Sequence, residues 1–237
     1  MKVGFIGDIH GKSIWKQFVK DTTIDHWVFM GDYVDEEFKH PISDDEMLEN
    51  LQDIIDFKKN NMVKVTLLIG NHDLMYMFLN DPTKRVTRFR PTIAMELFDL
   101  FTFNKNMFQN AWQGSNVIAT HAGIQHDWFI NGFKGDLETN VAEQLNNPSN
   151  ENKKQRIFDI GKIRGGDKFV GAIYWCDRSE LAKPLIGYTQ VVGHNRVDGI
   201  KYVRDGKKYG ILYLVDCLNK RNEFLKLEIN DENIQRI

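Results

Sequence analysis

The sequence predicts an α/β fold in which two packed, mixed β-sheets form a central sandwich flanked by α-helices. Three observations carry that prediction. Strand, turn and helix succeed one another three times in the N-terminal third, and each strand ends in a glycine followed by polar residues. Four short strand-like runs crowd the C-terminal third. No internal repeat divides the chain, and its 237 residues (1–237) suit one large domain. Repeated strand–helix units imply right-handed crossovers on a largely buried sheet. Closely spaced short strands imply an antiparallel layer.

The elements follow in order. Lys2 to Ile6 is a short, mostly apolar strand ending at Gly7-Asp8. A helix is expected from Lys12, with Ile14, Trp15, Phe18 and Val19 on one face. Trp27 to Met30 is a second buried strand, ending at Gly31-Asp32. Ser43, with Glu46 three residues later, is a capping-box signal, and Met47, Leu48, Leu51, Ile54 and Ile55 follow at helical spacing. Val63 to Ile69 is a third strand, running into Gly70-Asn71-His72-Asp73. A helical insertion or cap is expected over 80–112, where Ile93, Ala94, Leu97, Phe98 and Phe101 share a face. Phe98, Phe101 and Phe103 are assigned to the core.

Val117 to Thr120 is a fourth strand, ending at His121-Ala122-Gly123. A loop-rich insertion is expected over 134–170, with Asp136 to Gln144 an exposed helix and the polar run Asn146 to Lys154 a solvated loop. The closing strands are Tyr188 to Gly193, Lys201 to Arg204, Tyr209 to Val215 and Glu223 to Ile229.

Composition narrows the function. Apolar residues make up 42% and aromatic residues 12%, enough for a sizeable core. A formal charge of −2 argues against a general nucleic-acid or membrane-surface binder. No apolar run approaches a membrane span, and the N-terminus lacks a cleavable signal pattern. Cys176 and Cys217 form no metal-type pair and no disulfide framework, which reads as a reduced, cytoplasmic setting.

In open α/β sheets, ligands gather at the carboxyl ends of the strands. Five such ends carry metal-competent side chains: Asp8-Ile9-His10, Asp32 to Asp35, Asn71-His72-Asp73, His121 and His194. Each alone has an ordinary explanation: a helix cap, a turn or a hydrogen-bonded core histidine. Together they supply Asp, Asn and His donors of the kind that hard and borderline divalent ions favour. The joint pattern points to two metal ions sharing a carboxylate.

GDIHG (7–11), GDYVD (31–35), GNHD (70–73), THAG (120–123) and VVGHN (191–195) resemble, in order, the signature of the calcineurin-like metallophosphoesterase superfamily. Within it the chain is most similar to the branch holding serine/threonine phosphoprotein phosphatases, bacteriophage phosphatases and symmetrical diadenosine-polyphosphate hydrolases. His121 is followed by Ala-Gly, and Arg196 stands where many members carry a second histidine.

The resemblance implies the superfamily's sandwich fold and a phosphatase acting through two divalent ions, Mn²⁺ and/or iron, with Zn²⁺ also compatible. Asp8, His10 and Asp32 would hold one ion, and Asn71, His121 and His194 the second, with Asp32 bridging. It further implies direct attack on phosphorus by a metal-activated water, His72 as general acid and Asp35 as its partner.

One departure stands out. Asp35 is followed by Glu36 and Glu37, where phosphoprotein phosphatases usually carry a phosphate-gripping arginine. Candidate replacements are Arg178, after Tyr174-Trp175-Cys176-Asp177, Arg90 in Arg88-Phe89-Arg90-Pro91, and Arg164 before Gly165-Gly166. The expected partner is a phosphorylated substrate: a small molecule, a nucleotide such as a dinucleoside polyphosphate, or a phosphoprotein. A non-catalytic scaffold on the same fold is the alternative from another class.

Overall fold

The protein is described by a computed structural model covering residues 1–36, 41–79, 81, 88–204, 210–230 and 234–237. Glu37, residues 80 and 82–87 of the expected 80–112 insertion, and Tyr209 lie outside the described residues.

Strands β1 (Lys2–Ile6), β2 (His26–Phe29) and β3 (Val65–Leu68) pair in parallel, and β3 continues in parallel to the short β4 (Phe108–Gln109). The second sheet runs β5 (Ala111–Gly114), β6 (Val117–Thr120), β7 (Thr189–Val192), β9 (Ile211–Leu214) and β8 (Lys201–Arg204). Successive side chains on a strand face opposite ways. Val3, Phe5, Val28 and Met30 accordingly pack between the sheets against Ala119, Val191, Tyr213 and Val215. Ile6 and Phe29 face the other side and meet Leu51, Ile54, Leu97 and Phe101 from the helices. Each such fully buried side chain contributes about 1.5–3 kcal/mol.

The C-terminal third is only in part the antiparallel layer its strand spacing suggests. Strand β7 lies parallel between β6 and β9, whereas β8 pairs antiparallel with β9. All four residues of β7 are buried, which fits a central parallel strand. Strand β10 (Leu225–Ile229) crosses to the first sheet and pairs antiparallel with β1, and β11 (Ile234–Arg236) extends that sheet.

Helix α2 (Asp44–Asn60) begins with the expected box, Ser43 Oγ accepting from Glu46 N and Glu46 accepting from Ser43 N. Helix α1 is shorter than its apolar spacing suggests (Trp15–Phe18), and Thr23 N bonds to Asp21 Oδ1 just beyond it. The third strand begins two residues later than expected, and Val63 is exposed.

Helix α3 (Asn71–Met77) starts directly at the third strand's glycine. Helix α4 (Ala94–Phe103) buries Leu97 and Phe101, spaced four apart, whereas Phe103 is 81% exposed. Two positions further along a helix point nearly the opposite way, so Phe103 leaves the core. Segment 134–170 carries α5 (Val141–Asn146) and α6 (Glu151–Arg156). The polar run expected as a solvated loop is non-helical over 147–150 and helical from Glu151, with Asn150 capping α6 through Lys153 N. The helix expected at Asp136 to Gln144 begins only at Val141.

Parallel pairing has one consequence for the site. The carboxyl ends of β1, β2 and β3 open on one edge of the first sheet, and those of β6, β7 and β9 on one edge of the second. All five motifs sit at those ends.

Candidate metal centre

A cleft of about 670 Å³ lies at this edge, lined by Asp8, His10, Asp32, Asn71, His72 and His194 among others. His121 is wholly buried behind them. One oxygen of Asp32, one of Asp8 and a ring nitrogen of His10 lie within 4.8 Å of one another. A second set of the same tightness joins Asp32 to His121 and His194, so Asp32 belongs to both.

The backbone is bent to aim these groups. His10, Asp32, Asp35 and His194 have φ of 45°, 50°, 62° and 57°, a left-handed region that few non-glycine residues enter and that Asp and His tolerate better than most. Two glycines permit the close approach. A Cβ on Gly70 would stand 2.2 Å from Asp32 Oδ1, and one on Gly193 would stand 2.1 Å from Asp8 Oδ1. Through that gap His194 N donates to both oxygens of Asp8, at 3.0 and 2.9 Å.

The imidazoles are presented as ligands. His10 Nδ1 is 3.0 Å from the Val34 carbonyl and His121 Nδ1 2.8 Å from the Met30 carbonyl, so each ring donates there and keeps a lone pair on Nε2. Burial drives His10 down to about 3, and lowers His121 and His194 as well. His121 Nε2 faces Asn71 Oδ1 at 3.0 Å and Asp32 Oδ2 at 3.5 Å, three acceptors converging on one point. His194 Nε2 is buried with no hydrogen-bond partner among the described residues. Burial, with Asp216 and Asp32 nearby, pushes Asp8 well above the usual carboxylate range. Buried carboxylates facing neutral imidazoles and an orphaned nitrogen are the environment that divalent cations complete.

Beside these groups, His72 Nδ1 bonds Asp35 Oδ2 at 2.9 Å, and Tyr76 OH donates to Asp35 Oδ1 at 2.5 Å. Burial opposes charge on His72, but Asp32 and Asp35 outweigh it and hold the ring above its ordinary value. Asp73 supports the loops: its carboxylate accepts from Asp32 N, Tyr33 N and Gly70 N, each at 2.8 Å.

The arginines divide. Arg178 and Arg164 line the cleft, and Arg164 is tied to Asp177 and Asn195, both at 3.0 Å. Arg90 is turned away into an ion pair with Glu36, with Asp44 Oδ1 at 2.6 Å and the Ile42 carbonyl at 2.6 Å. It does not line the cleft, because two carboxylates outside the cleft hold its guanidinium. Arg88, Arg196, Asn195, Trp175 and Asp216 also line the cleft, although sequence alone assigns none of them a role in the site. Asp216 was legible in principle, since it follows an apolar strand as Asp8 and Asp32 do. Cys176 and Cys217 are free and buried, and burial pushes the Cys217 thiol up to about 12.

A carboxylate shared by two donor sets, at the strand ends of a two-sheet sandwich, is an arrangement that could hold two metal ions. The profile described as calcineurin-like phosphoesterase matches residues 1–212, and the chain belongs to that family, hydrolases acting on phosphoric esters. No curated protein matches it. Among solved structures it is similar to a Saccharomyces cerevisiae protein serine/threonine phosphatase with similarity to human phosphatase PP5, at 13% identity and a TM-score of 0.49. That match covers 91% of this chain and 66% of the yeast chain. It is also similar to a metallophosphoesterase from Sphaerobacter thermophilus, at 12% identity and a TM-score of 0.44, over 100% and 88% of the two chains. No helix among the described residues is long and apolar enough to cross a membrane.

Proposed function

We propose that this chain is a dinuclear metal-dependent phosphatase that hydrolyses a phosphate ester with His72 as general acid. The observation that carries the reading is the membership of Asp32 in both donor sets. Asp8, His10 and Asp32 would hold one cation, and Asn71, His121 and His194, with Asp32, the second. Mn²⁺ and iron suit this mixture of carboxylate, imidazole and amide donors, and Zn²⁺ is compatible. When bound, such cations supply an activated water and stabilise phosphoryl charge.

The chain's own contribution is positional and protonic. Asp35 fixes the His72 ring through Nδ1, and Tyr76 fixes Asp35. That leaves Nε2–H of a charged His72 to protonate the departing oxygen. Arg178 on the cleft wall offers a fork of donors for phosphoryl oxygens. Two free, buried cysteines fit a reducing setting such as the cytoplasm.

Protein loaded with Mn²⁺ is expected to hydrolyse a generic aryl phosphate, and Asp8→Asn and His72→Asn to lose nearly all turnover while remaining folded by circular dichroism. Absence of hydrolysis of every generic aryl monoester and diester would overturn the reading.

A further inference from the structure

The loop after Asp35 presents a problem of charge. Position 36, where related phosphatases place a phosphate-gripping arginine, is a glutamate, and a carboxylate turned into the cleft would repel substrate. The structure shows how that carboxylate is removed: Arg90 pairs with it, and both side chains are nearly buried, at 14% and 15% exposure. The same segment then returns a cation to the cleft. Arg88, two residues before Arg90, lines the same cleft as His72, Asp32 and Asn71. Its Nη1 is held by the Glu36 backbone carbonyl at 3.5 Å, so it rests on the loop corner that the missing arginine would occupy.

Among the described residues Arg88 and Arg178 show no ion pair, whereas Arg164 is paired with Asp177 at 3.0 Å. Arg88 differs from Arg178 in its φ of 75°, a left-handed conformation that arginine rarely adopts. The segment carrying it is also anchored to the general-acid pair, since Arg90 N donates to Tyr76 OH, which donates to Asp35.

We propose that Arg88 grips the non-bridging oxygens of the scissile phosphoryl group, standing in from a separate segment for the arginine that Glu36 displaced, and so biases the site toward dianionic phosphomonoesters. The proposal rests on the phosphoesterase reading. A planar guanidinium matches two phosphoryl oxygens at once, and a monoester offers it more charge than a diester. Glu36 and Arg90 form the supporting pair that keeps position 36 neutral and orients the segment.

The test uses Mn²⁺-loaded full-length protein and inorganic phosphate as probe, with binding measured by calorimetry and turnover measured separately on an aryl phosphate and a bis-aryl phosphate. Arg88→Ala is expected to weaken phosphate binding about tenfold or more and to lower aryl phosphate kcat/KM by a similar or larger factor. Bis-aryl phosphate turnover should fall far less, and metal content by elemental analysis should be unchanged. Arg88→Lys should recover part of the phosphate affinity, which also controls for misfolding. Phosphate affinity within twofold of wild type in Arg88→Ala overturns the proposal, as does failure of wild type to bind phosphate. Wild-type protein that binds phosphate through Arg88 yet hydrolyses nothing would overturn the phosphoesterase reading and leave the clamp standing.

Discussion

His72 Nδ1 and Asp35 Oδ2 lie 2.9 Å apart in a buried pair that Tyr76 closes from the far side. The two side chains come from different strand ends, brought together by the parallel pairing of β2 and β3. Burial raises Asp35 as well, and its hydrogen bonds to His72 and Tyr76 work against that rise.

Asp35→Asn tests that pairing. A general acid works while protonated, so activity holds below the His72 pKa and is lost as pH rises through it. Asp35 helps to raise that pKa. Removing its charge should therefore move the alkaline limb of the kcat profile about one unit toward acid. An unchanged alkaline limb would show that Asp35 does not set the proton affinity of His72.

Asp73→Asn tests the loop brace. The carboxylate accepts three backbone N–H bonds, two of them on the same oxygen. An amide has one acceptor oxygen, and its NH₂ would face donors. Loss of about 1.5–3 kcal/mol is expected, read as a lower midpoint in chemical denaturation of the metal-free protein. A midpoint equal to wild type would contradict the bracing role.

Gly193→Ala tests the close approach. The added methyl would fall on Asp8 Oδ1, displacing the carboxylate from His194 N and from the first donor set. Bound metal should drop and thermal stability in excess Mn²⁺ should fall toward that of the metal-free protein. Retention of full metal content would show that the gap has no part in aiming Asp8.

The sequence carried much of this because the motifs sit at strand ends. A short apolar run followed by Gly and a polar donor is a local signal, and it located Asp8, Asp32, Asn71, His121 and His194 at one edge. Strand partners were not local. Whether β7 pairs parallel or antiparallel depends on residues far along the chain, and β10 joins a sheet whose first strand lies at the opposite terminus. Phe103, expected in the core for its aromatic ring, lies off the helix's buried face and is exposed, since helical phase and not residue type sets burial there. The arginines were the least legible, since arginine pairs with whichever carboxylate the fold brings near: Arg90 met Glu36 and Asp44, and Arg88 met the cleft.

The sharing of Asp32 is the central claim, and metal titration tests it most directly. Apo protein prepared with a chelator is titrated with Mn²⁺ by calorimetry, with elemental analysis of the dialysed product, for wild type and Asp32→Asn. Two ions per chain are expected in wild type, with both binding steps weakened in Asp32→Asn because each donor set loses the same carboxylate. A single site in wild type, or loss of only one of two sites in the variant, would contradict a shared carboxylate.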